Sequence, residues 1–223
     1  MSARSRTLVA LSRQMGAGGA YIGQAVARQL GVRYVGREVL DEAARILGRD
    51  RAELESLEER VTSLWSRMAG VLAWGAPEAA YVPPPMPSLY EDDLFAVESR
   101  IIREIASHED AVFVGRGAGY ILRSEAGLLT VFLHAPDEVR VERVMRTYDV
   151  TERAAALELI RESDHQRGRF LESLGGMSWL DLSRYHLCID TGAIGLDDAA
   201  AAIAGLVIAR RQGVCASGRI LSD

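Results

Sequence analysis

The chain has 223 residues, 48% hydrophobic and 26% charged, with a net charge of −5, the balance of an ordinary folded protein without a cationic field to draw nucleic acid. Its strongly apolar stretches, residues 128–133 and 199–209, are too short to span a membrane, and no charged-then-apolar secretion segment opens it. Two cysteines, Cys188 and Cys215, make neither a disulfide framework nor a multi-cysteine zinc site, which points to a reducing cytoplasm.

In chain order, residues 7–12 (TLVALS) read as a short strand that runs into the glycine-dense Gly16-Ala17-Gly18-Gly19. Residues 20–30 carry Ile22, Val26 and Leu30 at steps of four, an amphipathic helix closed by Gly31. A short strand is expected at 32–35, then helices at 37–47 and at 50–72. Residues 75–93 hold five of the six prolines and read as a loop. A helix follows at 94–107, a buried strand at 111–114 ending in Gly115-Arg116-Gly117, and another strand at 129–134 ending in Ala135-Pro136. Helices are expected at 137–148 and from a Thr151 cap to 174, a last strand at 187–190, and a closing helix at 197–211 before a frayed tail from Gly213. Cys188 reads as a core residue, and Asp190-Thr191 as a helix-entry turn.

Strands alternating with helices, the strands being continuous apolar runs, predict an α/β fold with a parallel sheet covered on both faces. Ligands bind such sheets at the carboxyl ends of the strands. The loops after Ser12, Val114 and His134, with Gly16–Gly19, Arg116 and Pro136, are therefore expected to line one crevice. A glycine loop between a first strand and a helix offers backbone amides and a positive helix end to an anion, although it also serves as a tight turn. Laid on the phosphate-loop pattern GxxxxGK[ST], Arg13 takes the first glycine's place, Gly18 matches the second, and Gly19 stands for the lysine. Ala20 and Tyr21 leave the magnesium-binding hydroxyl without a counterpart. All 26 basic residues are arginine, so a cation at this loop must be a guanidinium, and Arg13, just before the loop, is a candidate.

The run Leu11-Ser12-Arg13-Gln14-Met15-Gly16-Ala17-Gly18-Gly19, with Ile22-Gly23 and Leu30-Gly31, resembles the opening of the cytidylate kinase-like family, lysine-free relatives of the nucleoside monophosphate kinases. Further matching runs are Val112 to Gly117, Phe132-Leu133 with Ala135-Pro136, Arg140 and Arg143, Asp164 with Arg167, and Tyr185 to Thr191. The resemblance implies a three-layer P-loop NTPase-like core with a parallel sheet of about five strands. It implies a single domain with core 7–36 and 108–211, a helical substrate-binding insertion over 37–107 and an arginine-bearing lid over 140–170. It further implies transfer of the γ-phosphoryl of ATP to CMP or dCMP with Mg2+. Cytidylate kinases carry Gly-Arg-Asp where this chain has Gly115-Arg116-Gly117.

On this reading Gly16, Ala17, Gly18, Gly19, Ala20 and Tyr21 cradle the ATP phosphates, and Arg13, Arg140 and Arg143 supply catalytic charge. Arg116 grips the acceptor's phosphate, or else pairs with a neighbouring carboxylate. Arg140 and Arg143 are neighbours on one helix face and serve a lid, or the face is a solvated one with Glu142 and Arg146 paired. Asp164 and Arg167 hold sugar and phosphate, or simply each other. Glu98 and Arg100 are further candidates to reach the acceptor pocket. The four histidines, His108, His134, His165 and His186, share no ligand spacing, so no protein metal site is expected. Two other functions fit the same residues: a kinase of another small metabolite or antibiotic, and a catalytically silent nucleotide-binding module.

Overall fold

The computed structural model describes residues 6–36, 89–175 and 178–212. The helices expected at 37–47 and 50–72, most of the proline-rich loop and the tail from Gly213 lie outside the described residues. Five parallel strands form the sheet: β1 (Leu8–Arg13), β2 (Arg33–Val35), β3 (Ala111–Val114), β4 (Leu128–His134) and β5 (Leu187–Asp190), in the order β2-β3-β1-β4-β5. Helix α1 (Gly19–Leu30) joins β1 to β2, and α2 (Leu89–His108) leads into β3. A single turn, α3 (Ala118–Ile121), follows β3, and α4 (Asp137–Tyr148) and α5 (Arg153–Gly175) follow β4. Beyond β5 come a short α6 (Thr191–Ile194) and α7 (Leu196–Arg211).

The apolar strands are continuous because both faces are covered. On one face Val9, Leu11, Val112 and Val131 pack with Ile22 and Val26 of α1 and Ile203 and Val207 of α7. On the other, Leu8, Ala10 and Phe113 pack with Ile101, Ile102 and Ile105 of α2 and Ile121 of α3. Adjacent residues of β1 therefore serve opposite layers, as the strand period of two demands. Helix α1 stops where Gly31, at φ +64, closes it with its amide on the Ala27 and Arg28 carbonyls. The α4–α5 pair has a small core of its own, Val141, Val144, Ala156 and Ile160, with Met15 of the glycine loop packed against it.

Three expectations need correction. Helix α2 begins at Leu89, so residues 89–93 are not loop; the last proline before it is Pro87, and nothing beyond that residue removes an amide or clashes with a helical turn. The single-turn helix α3 stands outside the expected elements, because four residues are too few to show a helical period, whereas Asp190-Thr191 is the helix-entry turn expected, with Asp190 capping α6. Cys188 is only partly buried, since β5 is an edge strand that pairs with β4 alone.

Candidate functional site

Register places the two ends that matter side by side. Leu11 pairs with Val114, where β3 ends, while β1 runs on through Ser12 and Arg13 beside β4. The Gly115 amide donates to the Leu11 carbonyl at 2.9 Å, so the loop after β3 starts just below Arg13. Arg13 then threads between two glycines. A Cβ on Gly19 would lie 2.6 Å from its Cγ, and one on Gly115 would lie 2.0 Å from its Nη1. Position 19, where a phosphate-loop lysine would stand, is thus glycine for want of room: the side chain of Arg13 already runs across it.

The glycine loop is held from outside. The Met15 carbonyl accepts from Arg140 Nη1 at 3.3 Å, the Gly16 carbonyl from Arg143 Nη1 at 3.3 Å, and the Ala17 carbonyl from the Thr191 hydroxyl at 3.0 Å. Three successive carbonyls are tied back. Gly16 has φ +80, and a Cβ there would lie 2.8 Å from the Arg140 carbonyl oxygen, so only glycine lets the loop lie against α4. The Ala17 amide donates to the Gln14 carbonyl at 3.2 Å, and the Met15 amide to Asp164 Oδ1 at 2.8 Å. These bonds leave the amides of Gly16, Gly18, Gly19 and Ala20 without an acceptor among the described residues. Gly18 caps α1 with no side-chain bond. Orphan donors and a positive dipole at a helix end are the features that attract an anion.

Arg140 and Arg143 earn their places by shaping this loop. Arg140 is 6% exposed and pairs with Asp137 and Asp164 as well as with the loop. Arg143 donates to the Thr191 hydroxyl at 2.9 Å and the Thr191 carbonyl at 2.8 Å. Burial first, then neighbouring Arg146, lowers its pKa, but a guanidinium stays protonated all the same. Asp164 bonds the Met15 amide, Arg140 and, at 3.3 Å, Arg167. Tyr21 is exposed, and its hydroxyl donates to Asp197 at 2.6 Å, which raises its pKa.

A second cluster lies beside the loop. Arg13, Gly115, Arg116, Gly117, Arg167, Phe170 and Trp179 line a recess of about 310 Å³ counting its open mouth. Arg116 sits at φ +53, a left-handed conformation that costs a non-glycine residue about 1–2 kcal/mol. Its Nε donates to Glu98 Oε2 at 2.8 Å and its Nη2 contacts Glu98 Oε1, while its guanidinium lies 5.6 Å from the Phe170 ring centre. Of the three strand ends expected in one crevice, those of β1 and β3 meet here. The end of β4 does not: Pro136 lies against Gly192, and the helix after it serves the back of the loop. Arg100 is exposed on α2. Sequence reasoning missed Thr191 as a loop anchor and Phe170 and Trp179 as recess walls; none carries a local pattern that marks it.

For magnesium the loop offers Ala20 where a hydroxyl residue would be needed, and the next hydroxyl, on Tyr21, is engaged by Asp197. No group of three or more His, Cys, Asp or Glu able to hold a metal occurs among the described residues. At Ala20 and Tyr21 the glycine loop therefore supplies no side-chain ligand for magnesium. No helix among the described residues is long and apolar enough to cross a membrane.

A parallel sheet in the order β2-β3-β1-β4-β5, with a glycine loop between β1 and α1, defines a three-layer P-loop NTPase-like fold. The model of the cytidylate kinase-like family matches residues 8–193, and the chain belongs to that family. It is 29% identical over 123 residues to a cytidylate kinase of Sulfolobus acidocaldarius, covering 53% of this chain and 66% of that protein. It is 36% identical over 88 residues to a cytidylate kinase of Pyrococcus furiosus, covering 40% of this chain and 44% of that protein. The match thus spans less than two thirds of each of these curated relatives. An uncharacterized protein from Eubacterium ventriosum has the same fold, with a TM-score of 0.68 at 20% identity over 92% of this chain and 100% of that one.

Proposed function

We propose that the protein is an ATP-dependent phosphotransferase that moves the γ-phosphoryl of ATP–Mg2+ onto the phosphate of CMP or dCMP. The observation that carries this reading is the glycine loop: three consecutive carbonyls are bonded from behind, and the amides of Gly16, Gly18, Gly19 and Ala20 are left for an anion. In this reading those amides, with Ala17 and Tyr21 completing the turn, hold the ATP phosphates. Arg13 reaches from that cradle into the recess and meets the charge that develops on the transferring group. Arg116 and Arg167 receive the acceptor's phosphate. Arg140 and Arg143 contribute by fixing the loop, and Asp164 links it to α5. The α4–α5 pair forms the lid, and the segment before β3 is the substrate-binding insertion. Because phosphoryl transfer rests on positioning and charge stabilisation, guanidinium groups can supply what lysine does elsewhere.

A second reading keeps the chemistry and changes the acceptor to another small phosphorylated metabolite. Gly117 favours it. The aspartate of the Gly-Arg-Asp pattern is absent there, and the φ of +68 suits the glycine that replaces it. The test is phosphate transfer from ATP–Mg2+ to CMP, dCMP and a panel of other phosphorylated acceptors, with calorimetry of ATP binding alongside. Turnover with CMP or dCMP is expected. Turnover only with another acceptor selects the second reading, and ATP binding without any product makes the protein a silent nucleotide-binding module.

A further inference from the structure

Glu98 is fully buried, at 0% exposure, on α2, and it is not part of the recess lining. A carboxylate taken out of water needs a charged partner, and Arg116 is one. The pair is side-on: Nε and Nη2 of Arg116 meet the two oxygens of Glu98. A guanidinium carries five N–H donors in a fixed plane, so a pair on one edge leaves the Nη1 end for something else. Arg116, unlike Glu98, lines the recess. Phe95 stands one turn before Glu98 on α2 and packs edge-on against Phe170, with ring centres 5.5 Å apart, and Phe170 is the ring beside Arg116. One helix thus holds Arg116 twice, by charge through Glu98 and by packing through Phe95 and Phe170.

We infer that Glu98 is a positioning residue that aims the guanidinium of Arg116 into the recess, where it takes an oxygen of the acceptor's phosphate. This rests on the phosphotransferase reading. Because one edge of Arg116 is committed to Glu98, its grip on the acceptor is by the remaining end only. The rest of the anion's charge falls to Arg13 and Arg167, which suits a phosphate with several free oxygens better than a planar carboxylate. Free Arg116 would sample many rotamers; the carboxylate removes that freedom before the substrate arrives.

The test is Glu98→Gln, which keeps size and removes charge; the carboxamide can accept one N–H of Arg116 but opposes the second with its own. The KM for CMP is expected to rise on the order of ten- to a hundredfold, the value of one charge-assisted hydrogen bond, with the KM for ATP within about twofold. The double variant Glu98→Gln with Arg116→Gln is expected to match Arg116→Gln alone, because Glu98 acts through Arg116. An active wild type whose E98Q variant raises both KM values together, or neither, or whose double variant is additive, overturns the inference and leaves the phosphotransferase reading standing. If the wild type turns over no acceptor, that reading fails separately, and the geometry is judged by 15N NMR of the Arg116 Nε–H. A slowly exchanging signal in the wild type supports the inference, and E98Q is expected to lose it. Absence of such a signal in the wild type, which is readable even if E98Q fails to fold, refutes it.

Discussion

The glycine loop and the recess beside it are both built with arginine, but the residue does opposite work in the two places. At the loop, Arg140 and Arg143 spend their donors on backbone carbonyls, the Thr191 hydroxyl, Asp137 and Asp164, and in the proposed function it is the backbone amide that meets the ligand. In the recess, Arg13, Arg116 and Arg167 form the wall itself. The first arrangement converts side-chain charge into loop shape; in the second the guanidinium groups line the recess, with Arg116 paired to Glu98 and Arg167 to Asp164. A substitution in the recess should therefore change one contact sharply, whereas one behind the loop should loosen several amides at once.

The largest expected effect is at Arg13, the side chain that joins the two regions. Arg13→Ala should lower turnover by about 10²–10³, the usual value of one well-placed donor to a transition-state anion. Steady-state rates with ATP–Mg2+ and CMP check it, and an unchanged rate would clear Arg13 of the role. Next comes Gly16→Ala, which combines a φ of +80 with a 2.8 Å approach to the Arg140 carbonyl oxygen. It should cost about 1–3 kcal/mol of stability and weaken ATP binding, measured by thermal melting and calorimetry; a wild-type melting temperature would mean that the loop yields easily.

Arg143→Gln should cost about 1–3 kcal/mol by releasing Thr191 and the Gly16 carbonyl. Its kinetic signature is a raised KM for ATP with the acceptor's KM unchanged; the reverse split would put Arg143 in the recess's camp. Far from both regions, His186 accepts the Thr130 amide on Nδ1 at 3.0 Å, and burial, then Arg210, lowers its pKa. The unfolded chain therefore binds that proton more readily, and stability should decline as pH falls below the ordinary imidazole range. His186→Gln should flatten that slope in melts between pH 7.5 and about 5. The smallest effect should be Tyr21→Phe, since the exposed bond to Asp197 serves neither region; a change beyond about 0.5 kcal/mol in stability would contradict this.

Much of the architecture was legible in the sequence because its signals are local. The apolar runs at 111–114 and 187–190 match β3 and β5, and the acidic-first helix at 137–148 matches α4. The start of α2 was hidden by the prolines before it, and the single-turn α3 was too short to show a period. For the site, the glycine loop and its helix could be read directly. The partners of Asp164 could not: the Met15 amide is 149 residues away in the chain, and no spacing rule connects them. Arg140 and Arg143 were legible as a pair on one helix face, but not as supports of a loop 125 and 127 residues earlier.

What the sequence determined by itself was the material for the proposed anion site: a glycine-dense turn at a helix start, no lysine, and guanidinium groups for every positive charge. Composition and short-range backbone preference are enough for that. Only the tertiary structure decided which arginines shape the loop and which face the recess. That division follows from the strand order, which sets β1 between β3 and β4. Arg13 thereby lies over the end of β3 beside Arg116, while the helix after β4 comes up behind the loop and turns Arg140 and Arg143 onto its carbonyls.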